Sequence, residues 1–183
     1  GHIRYLTRKE IDIVKWDRCI SQSGNGLIYG LSFYLDAMAE NWCALVEADY
    51  NRVMPLTWNK KYGFLYLYQP YFTKTLGVFG NVPLPVDITP FLLAIPEKYK
   101  FWDLDLNENN FASANPGPLR WKQVERTNYL LDLSADYAKV RHEYKRLANR
   151  MISKANASHL QVIKGENPSL IIRLFLKDYR HKL

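Results

Sequence analysis

The chain has 183 residues, 48% of them apolar and 23% charged, which is enough to bury a core and excludes a disordered polymer. Four scattered histidines and two cysteines, Cys19 and Cys43, exclude a disulfide framework and a zinc set and point to a reducing cytoplasm. The formal net charge is +7, and all of it belongs to residues 134–183, where 11 Lys+Arg face 4 Asp+Glu.

In chain order, Ile3 to Leu6 reads as a strand, and Thr7-Arg-Lys-Glu10 as a capping box. The helix that follows places Ile13, Trp16 and Ile20 on one face and stops in the polar run 21–26. Ser32 opens a short second helix to about Glu40. A meander comes next, Ala44–Asp49, Arg52–Trp58 and Phe64–Gln69, joined by loops too short for a crossover, so these strands run antiparallel. Pro55 inside the second of them marks a bulge or an unpaired edge. Residues 69–87 form a long irregular stretch of the kind used as a binding element or a flexible lid.

Thr89-Pro90 starts a third helix, Phe101–Leu106 alternates as a strand, and 107–118 is a loop. Asn128–Leu133 is the best part of a further strand. The last fifty residues differ. The pattern predicts one long helix from Ser134 to about Ala157, with Tyr137, Val140, Tyr144, Leu147 and Met151 on an apolar stripe and Arg146, Arg150 and Lys154 on a basic one. A strand at 160–164 and a helix capped by Asn167-Pro168, burying Ile171, Leu174 and Phe175, complete it. The charge shift places a boundary between residues 1–133 and 134–183.

Thirteen of the 26 aromatic residues lie between Tyr29 and Phe79, which reads as cross-strand pairing rather than a base-stacking platform, because lysines and arginines are sparse among them. No apolar run is long enough to span a membrane.

The element order of 1–133 resembles the GNAT acyltransferase fold, a mixed, largely antiparallel sheet flanked by helices. Asn128-Tyr-Leu-Leu-Asp-Leu133, followed by a helix ending Arg150-Met-Ile-Ser-Lys154-Ala155 and then Asn167-Pro168, is similar to the junction between the two GNAT-like domains of FemAB-like acyltransferases. The resemblance implies transfer of an acyl or aminoacyl group to an amine, with acyl-CoA or aminoacyl-tRNA as donor. It also implies that 134–183 opens a second GNAT-like domain whose remainder is a missing C-terminal partner, so that this fragment is inactive alone.

By the same comparison Tyr66, Tyr68, Gln69 and Tyr71 stand where a site would open. Tyr68 is the candidate proton donor to a leaving thiolate, and Glu47 the candidate base through a water; packing and a solvated strand carboxylate are their plain alternatives. Gln69, Gly77 and Gly80, the cofactor-binding candidates here, stand where the phosphate loop is expected but with the wrong glycine spacing; the two glycines could let the backbone approach a phosphate or merely permit a tight turn. Arg146, Arg150 and Lys154 could grip phosphate or simply be solvated. The rival expectation is a non-catalytic GNAT-like module whose basic tail binds RNA or another partner.

Overall fold

A computed structural model describes residues 2–113, 121–132, 134–159, 164–165 and 167–179. The chain divides into two units, Gly1–Gln123 and Val124–Leu183.

The first unit is a mixed α+β structure built on a mostly antiparallel six-stranded sheet. Its elements are β1 (Ile3–Thr7), α1 (Ile13–Gln22), α2 (Ser32–Met38), β2 (Trp42–Glu47), β3 (Arg52–Lys61), β4 (Phe64–Leu67), β5 (Phe79–Gly80), β6 (Val86–Asp87), α3 (Thr89–Leu93), β7 (Tyr99–Trp102) and β8 (Asn110–Phe111). The sheet order is β1-β2-β3-β4-β7, with β5 also pairing β3. All neighbours are antiparallel except β4 and β7, which run parallel because α3 and its flanking loops carry the chain across. β6 and β8 form a separate parallel pair.

The Thr7–Glu10 box is present, with the Glu10 carboxylate accepting from the Thr7 amide at 2.8 Å and hydroxyl at 2.6 Å. It closes a single 3-10 turn, Arg8–Glu10, and not α1. The cap of α1 is Asp12, which accepts from the Lys15 amide. Ser32 is not a cap either: its amide and hydroxyl both donate to the Asp17 carboxylate, tying α2 to α1.

Alternation along β2 and β3 sorts the core onto two faces. Trp42, Ala44, Val46 and Val53 meet Trp16, Ile20 and Leu35 of the two helices. Cys43, Leu45, Met54, Leu56 and Leu67 meet Phe91, Ile88 and Tyr99 on the other face. Pro55 stays in register opposite Ala44, with no bulge. Trp58 N–H bonds Asn41 O, so the alternation of the ladder turns the Pro55 nitrogen toward the opposite edge. There β5 stops at Val53 and β4 begins at Trp58, and no ladder donor is needed.

The second unit contains α4 (Tyr137–His142), α5 (Arg146–Ala157) and α6 (Pro168–Tyr179). The single long helix expected here is broken at Glu143–Lys145. Lys145 is extended, and the Asn149 side chain donates to the Tyr144 carbonyl, which a continuous helix would have offered to a backbone amide. The break also separates Arg141 from Lys145, a like-charged pair at helical spacing. Among the described residues of 121–132 there is no strand, and Tyr129, Leu130 and Leu131 are exposed. A strand exists only through its ladder, and among the described residues no strand pairs with this segment. Leu133 and the expected strand residues 160–163 lie outside the described residues.

The Asn167 cap holds, accepting from the Ser169 amide at 2.9 Å. Ile171, Leu174 and Phe175, expected to be buried, are exposed, as are Leu147 and Met151. Hydrophobic periodicity reports that a face is suited to burial; a covering surface must still be supplied.

Candidate functional site

α1 and α2 cover the face of β1, β2 and the first half of β3, and leave the rest of that face open. Register then dictates what the open half displays. Asn59 pairs with Tyr66 and Lys61 with Phe64, so all four share it, and Tyr68 continues the column beside Thr57. Across the parallel pair, Tyr66 stands opposite Phe101. Four rings therefore lie on one surface: Phe64, Tyr66 and Tyr68 along β4 and its extension, and Phe101 on β7. Phe64 and Phe101 are 65% and 63% exposed, which leaves their ring faces free to be covered. Tyr66 and Tyr68 are half-buried and pack with centroids 5.9 Å apart, tilted by 54°.

The Tyr68 hydroxyl accepts the Glu40 amide at 3.2 Å, and among the described residues no acceptor takes its own proton. The Glu40 carboxylate in turn accepts from the Asn59 side-chain amide. Between Tyr99 and Phe101 the parallel register slips, leaving Lys100 without a partner residue on β4. A bulge of this kind re-aims backbone groups out of the ladder.

Glu47 is placed elsewhere. It lies five residues of β3 away from the Tyr68 level, about 16 Å along the strand, and on the other sheet face. Both of its oxygens accept from Arg52, from Nε and Nη2 at 2.6 Å each. The guanidinium holds the Glu47 carboxyl below the usual range, and a carboxylate stabilised as an anion accepts protons poorly. The pair lines an open hollow of ≈ 610 Å³ together with Cys19, Gln22, Asn51 and Asn81. Burial pushes the Cys19 thiol up to about 11, so it is not a thiolate at neutral pH.

Gln69 is spent on the loop: its Nε2 donates to Thr73 O at 3.1 Å and its Oε1 accepts the Asp105 amide at 3.4 Å. Gly77, at φ +133°, lies so close to Asn110 that a Cβ would sit 2.1 Å from Oδ1. Asn110 binds both polar groups of Val78, and Asn107 bonds Leu76 O, so this glycine permits an asparagine latch on the strand-like run 76–78. Gly80 is a strand residue opposite Arg52, where a Cβ would meet Asn51 O at 2.6 Å. In the second unit Arg146, Arg150 and Lys154 lie on one exposed stripe of α5, four residues apart each.

The structure thus joins Tyr66 and Tyr68 to Phe64 and Phe101, while Glu47 lies at a separate hollow and Gly80 pairs with Arg52 in the sheet. Sequence reading missed Phe101 and the slip at Lys100, because no local pattern announces a parallel partner thirty residues away. It also missed the lysines beside the rings, Lys61 as the register partner of Phe64 and the exposed Lys100 at the slip. Among the described residues no group of His, Cys, Asp or Glu could hold a metal ion, and no helix is long and apolar enough to cross a membrane. No protein-family model, curated protein or solved structure matches the chain.

Proposed function

We propose that the chain belongs to an N-acyltransferase, FemAB-like and GNAT-like in organisation, which moves an acyl or aminoacyl group from acyl-CoA or aminoacyl-tRNA to an amine in the cytoplasm. The observation that carries this reading is the slipped parallel β4–β7 pair, with Tyr68 two residues beyond the slip on the continuation of β4 and its hydroxyl on the Glu40 amide. Acyl transfer needs a polarised carbonyl and a proton for the leaving group. Backbone groups displaced from the ladder at Lys100 suit the first requirement. A phenol that accepts a backbone amide, and so keeps its own proton for donation, suits the second. Glu47 has a structural role in this reading, and the amine loses its proton to water.

The exposed apolar residues of α5 and α6 support the second half of the proposal, in which residues 134–183 open a further GNAT-like domain whose remainder covers them. The two buried free cysteines accord with a reducing compartment.

The test is transfer of a labelled acyl group to a primary amine by the chain joined to its downstream domain. Tyr68→Phe should lower kcat about a hundredfold with KM little changed. Unaltered turnover in that variant removes Tyr68 from the reaction, and absence of transfer from either donor removes the enzyme. The exposed basic stripe of α5 favours a second reading, a non-catalytic RNA-binding module. Affinity for RNA that falls steeply with salt, and disappears when Arg146, Arg150 and Lys154 are neutralised, would establish it.

A further inference from the structure

The open ring surface and the lysines around it have a chemistry of their own. Phe64 and Phe101 present ring faces to solvent, with Tyr66 between them and Tyr68 closing the column. Lys61 shares the face as the register partner of Phe64, and the exposed Lys100 sits at the slip next to Phe101. Lys98 is spent differently, donating to the Tyr5 hydroxyl at 3.0 Å on the opposite face. The strands that form the patch, residues 58–69 and 98–102, carry no Asp or Glu of their own. Glu40, which reaches its border, is taken up by Asn59.

A surface with these properties selects a ligand that is both flat and anionic. Flatness is needed because π faces at the height of a sheet stack planar rings, and each base stacked in this way strengthens binding substantially whatever its identity. Negative charge is favoured at the Phe64 and Phe101 end, where Lys61 and Lys100 flank the rings, because the carboxylates of the surface, Asp103 and Glu40, lie at the Tyr68 end. A sugar would use the rings and leave the lysines idle; an acidic peptide would do the reverse.

We infer that this surface is a nucleotide platform, on which an adenine ring stacks over Phe64 and Phe101 while its phosphate lies against Lys61 and Lys100. The inference rests on the acyl-transfer reading above and deepens it, since acyl-CoA and aminoacyl-tRNA share an adenosine with adjoining phosphate as the handle of the donor. The platform lies on the same face as Tyr68. There the ester of an aminoacyl-tRNA, carried on that adenosine, would lie near the proposed proton donor, while the thioester of acyl-CoA would reach it along the pantetheine arm.

The experiment titrates adenosine 3′,5′-bisphosphate into the 183-residue chain and follows the adenine proton signals by nuclear magnetic resonance. Stacking moves these signals upfield, and competition by coenzyme A, but not by pantetheine, locates the affinity in the nucleotide. The double variant Phe64→Ala, Phe101→Ala removes two exposed rings and should weaken binding at least about tenfold without changing the melting temperature. Lys61→Gln should weaken it less and make the salt dependence shallower. Coenzyme A binding more tightly than tRNA identifies a thioester donor. Preference for tRNA, lost on removal of its terminal adenosine, identifies an ester donor.

Affinity unchanged in the double variant overturns the platform, as does binding of N-acetylglucosamine in place of the bisphosphate. Equal rates of transfer from acyl-pantetheine and acyl-CoA would overturn the platform and leave the transferase standing. Ring-dependent binding of the bisphosphate by a protein without transfer activity would do the opposite.

Discussion

At the scale of single residues, the Arg52–Glu47 pair is the best-defined electrostatic feature of the first unit. Its fork is bidentate, Glu47 is buried, and the guanidinium also lies 5.4 Å from the centre of the Phe91 ring. Arg52→Ala leaves a buried carboxylate without its main counter-charge, at a cost of about 3 kcal/mol in urea unfolding at neutral pH. The sign of the pH dependence follows from the lowered carboxyl. The unfolded chain binds the proton first, so the stabilisation is fully present above the ordinary glutamate range, near pH 4.3. It is lost as the pH falls through the depressed folded value. Wild-type unfolding free energy should therefore drop steeply below about pH 4, and Arg52→Ala should flatten that drop. Equal slopes for the two proteins would show that other carboxylates, such as Asp36 beside Arg8, dominate acid unfolding.

At the scale of elements, periodicity is informative wherever both partners are local. The β2–β3–β4 meander was legible because its loops are short and its apolar residues alternate, and α1 because Ile13, Trp16 and Ile20 fall on one helical face. β5, β6 and β8, two residues each, were not, since nothing shorter than a turn of alternation distinguishes them from loop. Within the candidate site, Tyr66 and Tyr68 were legible by alternation. Phe101 and Lys100 required the parallel docking of β7, which depends on the fit of Tyr99 and Trp102 into the core below. α5 shows the converse limit. Its stripe reads as buried, yet Leu147 is 67% and Met151 58% exposed. Leu147→Ser and Met151→Ser should then change the unfolding free energy of the 183-residue chain by less than about 0.5 kcal/mol. Leu35→Ala, at a fully buried position of α2, should cost about 2–5 kcal/mol. A large loss from Leu147→Ser would mean that the stripe is covered in solution.

At the scale of the molecule, residues 121–132 separate regions of different character. They have no regular structure, and Lys122 and Arg126 within them are exposed. A protease needs an extended, accessible backbone, so trypsin at low ratio should cut first after Lys122 or Arg126. Mass spectrometry should then find a resistant fragment ending there, with the thermal transition of the sheet retained. Early cleavage within β3 or β4 instead would show that the hairpin opens before the connection does.

The knot of Tyr5, Tyr99 and Cys43 beneath Lys98 sets the behaviour of the protein in alkali. The two phenols are 3.0 Å apart, the thiol lies 3.3 Å from the Tyr99 hydroxyl, and burial holds all three acids in their neutral forms. Their ionisation in the unfolded chain begins near pH 8.5 for the thiol and 10 for the phenols, while the native state resists it. The native state therefore loses ground as the pH climbs through that range. Spectrophotometric titration at 295 nm should accordingly show most tyrosines ionising smoothly and a late, cooperative step that coincides with loss of ellipticity. The sheet would thus carry its own upper limit of basicity, fixed by one hydroxyl that must stay protonated for three strands to remain closed around it.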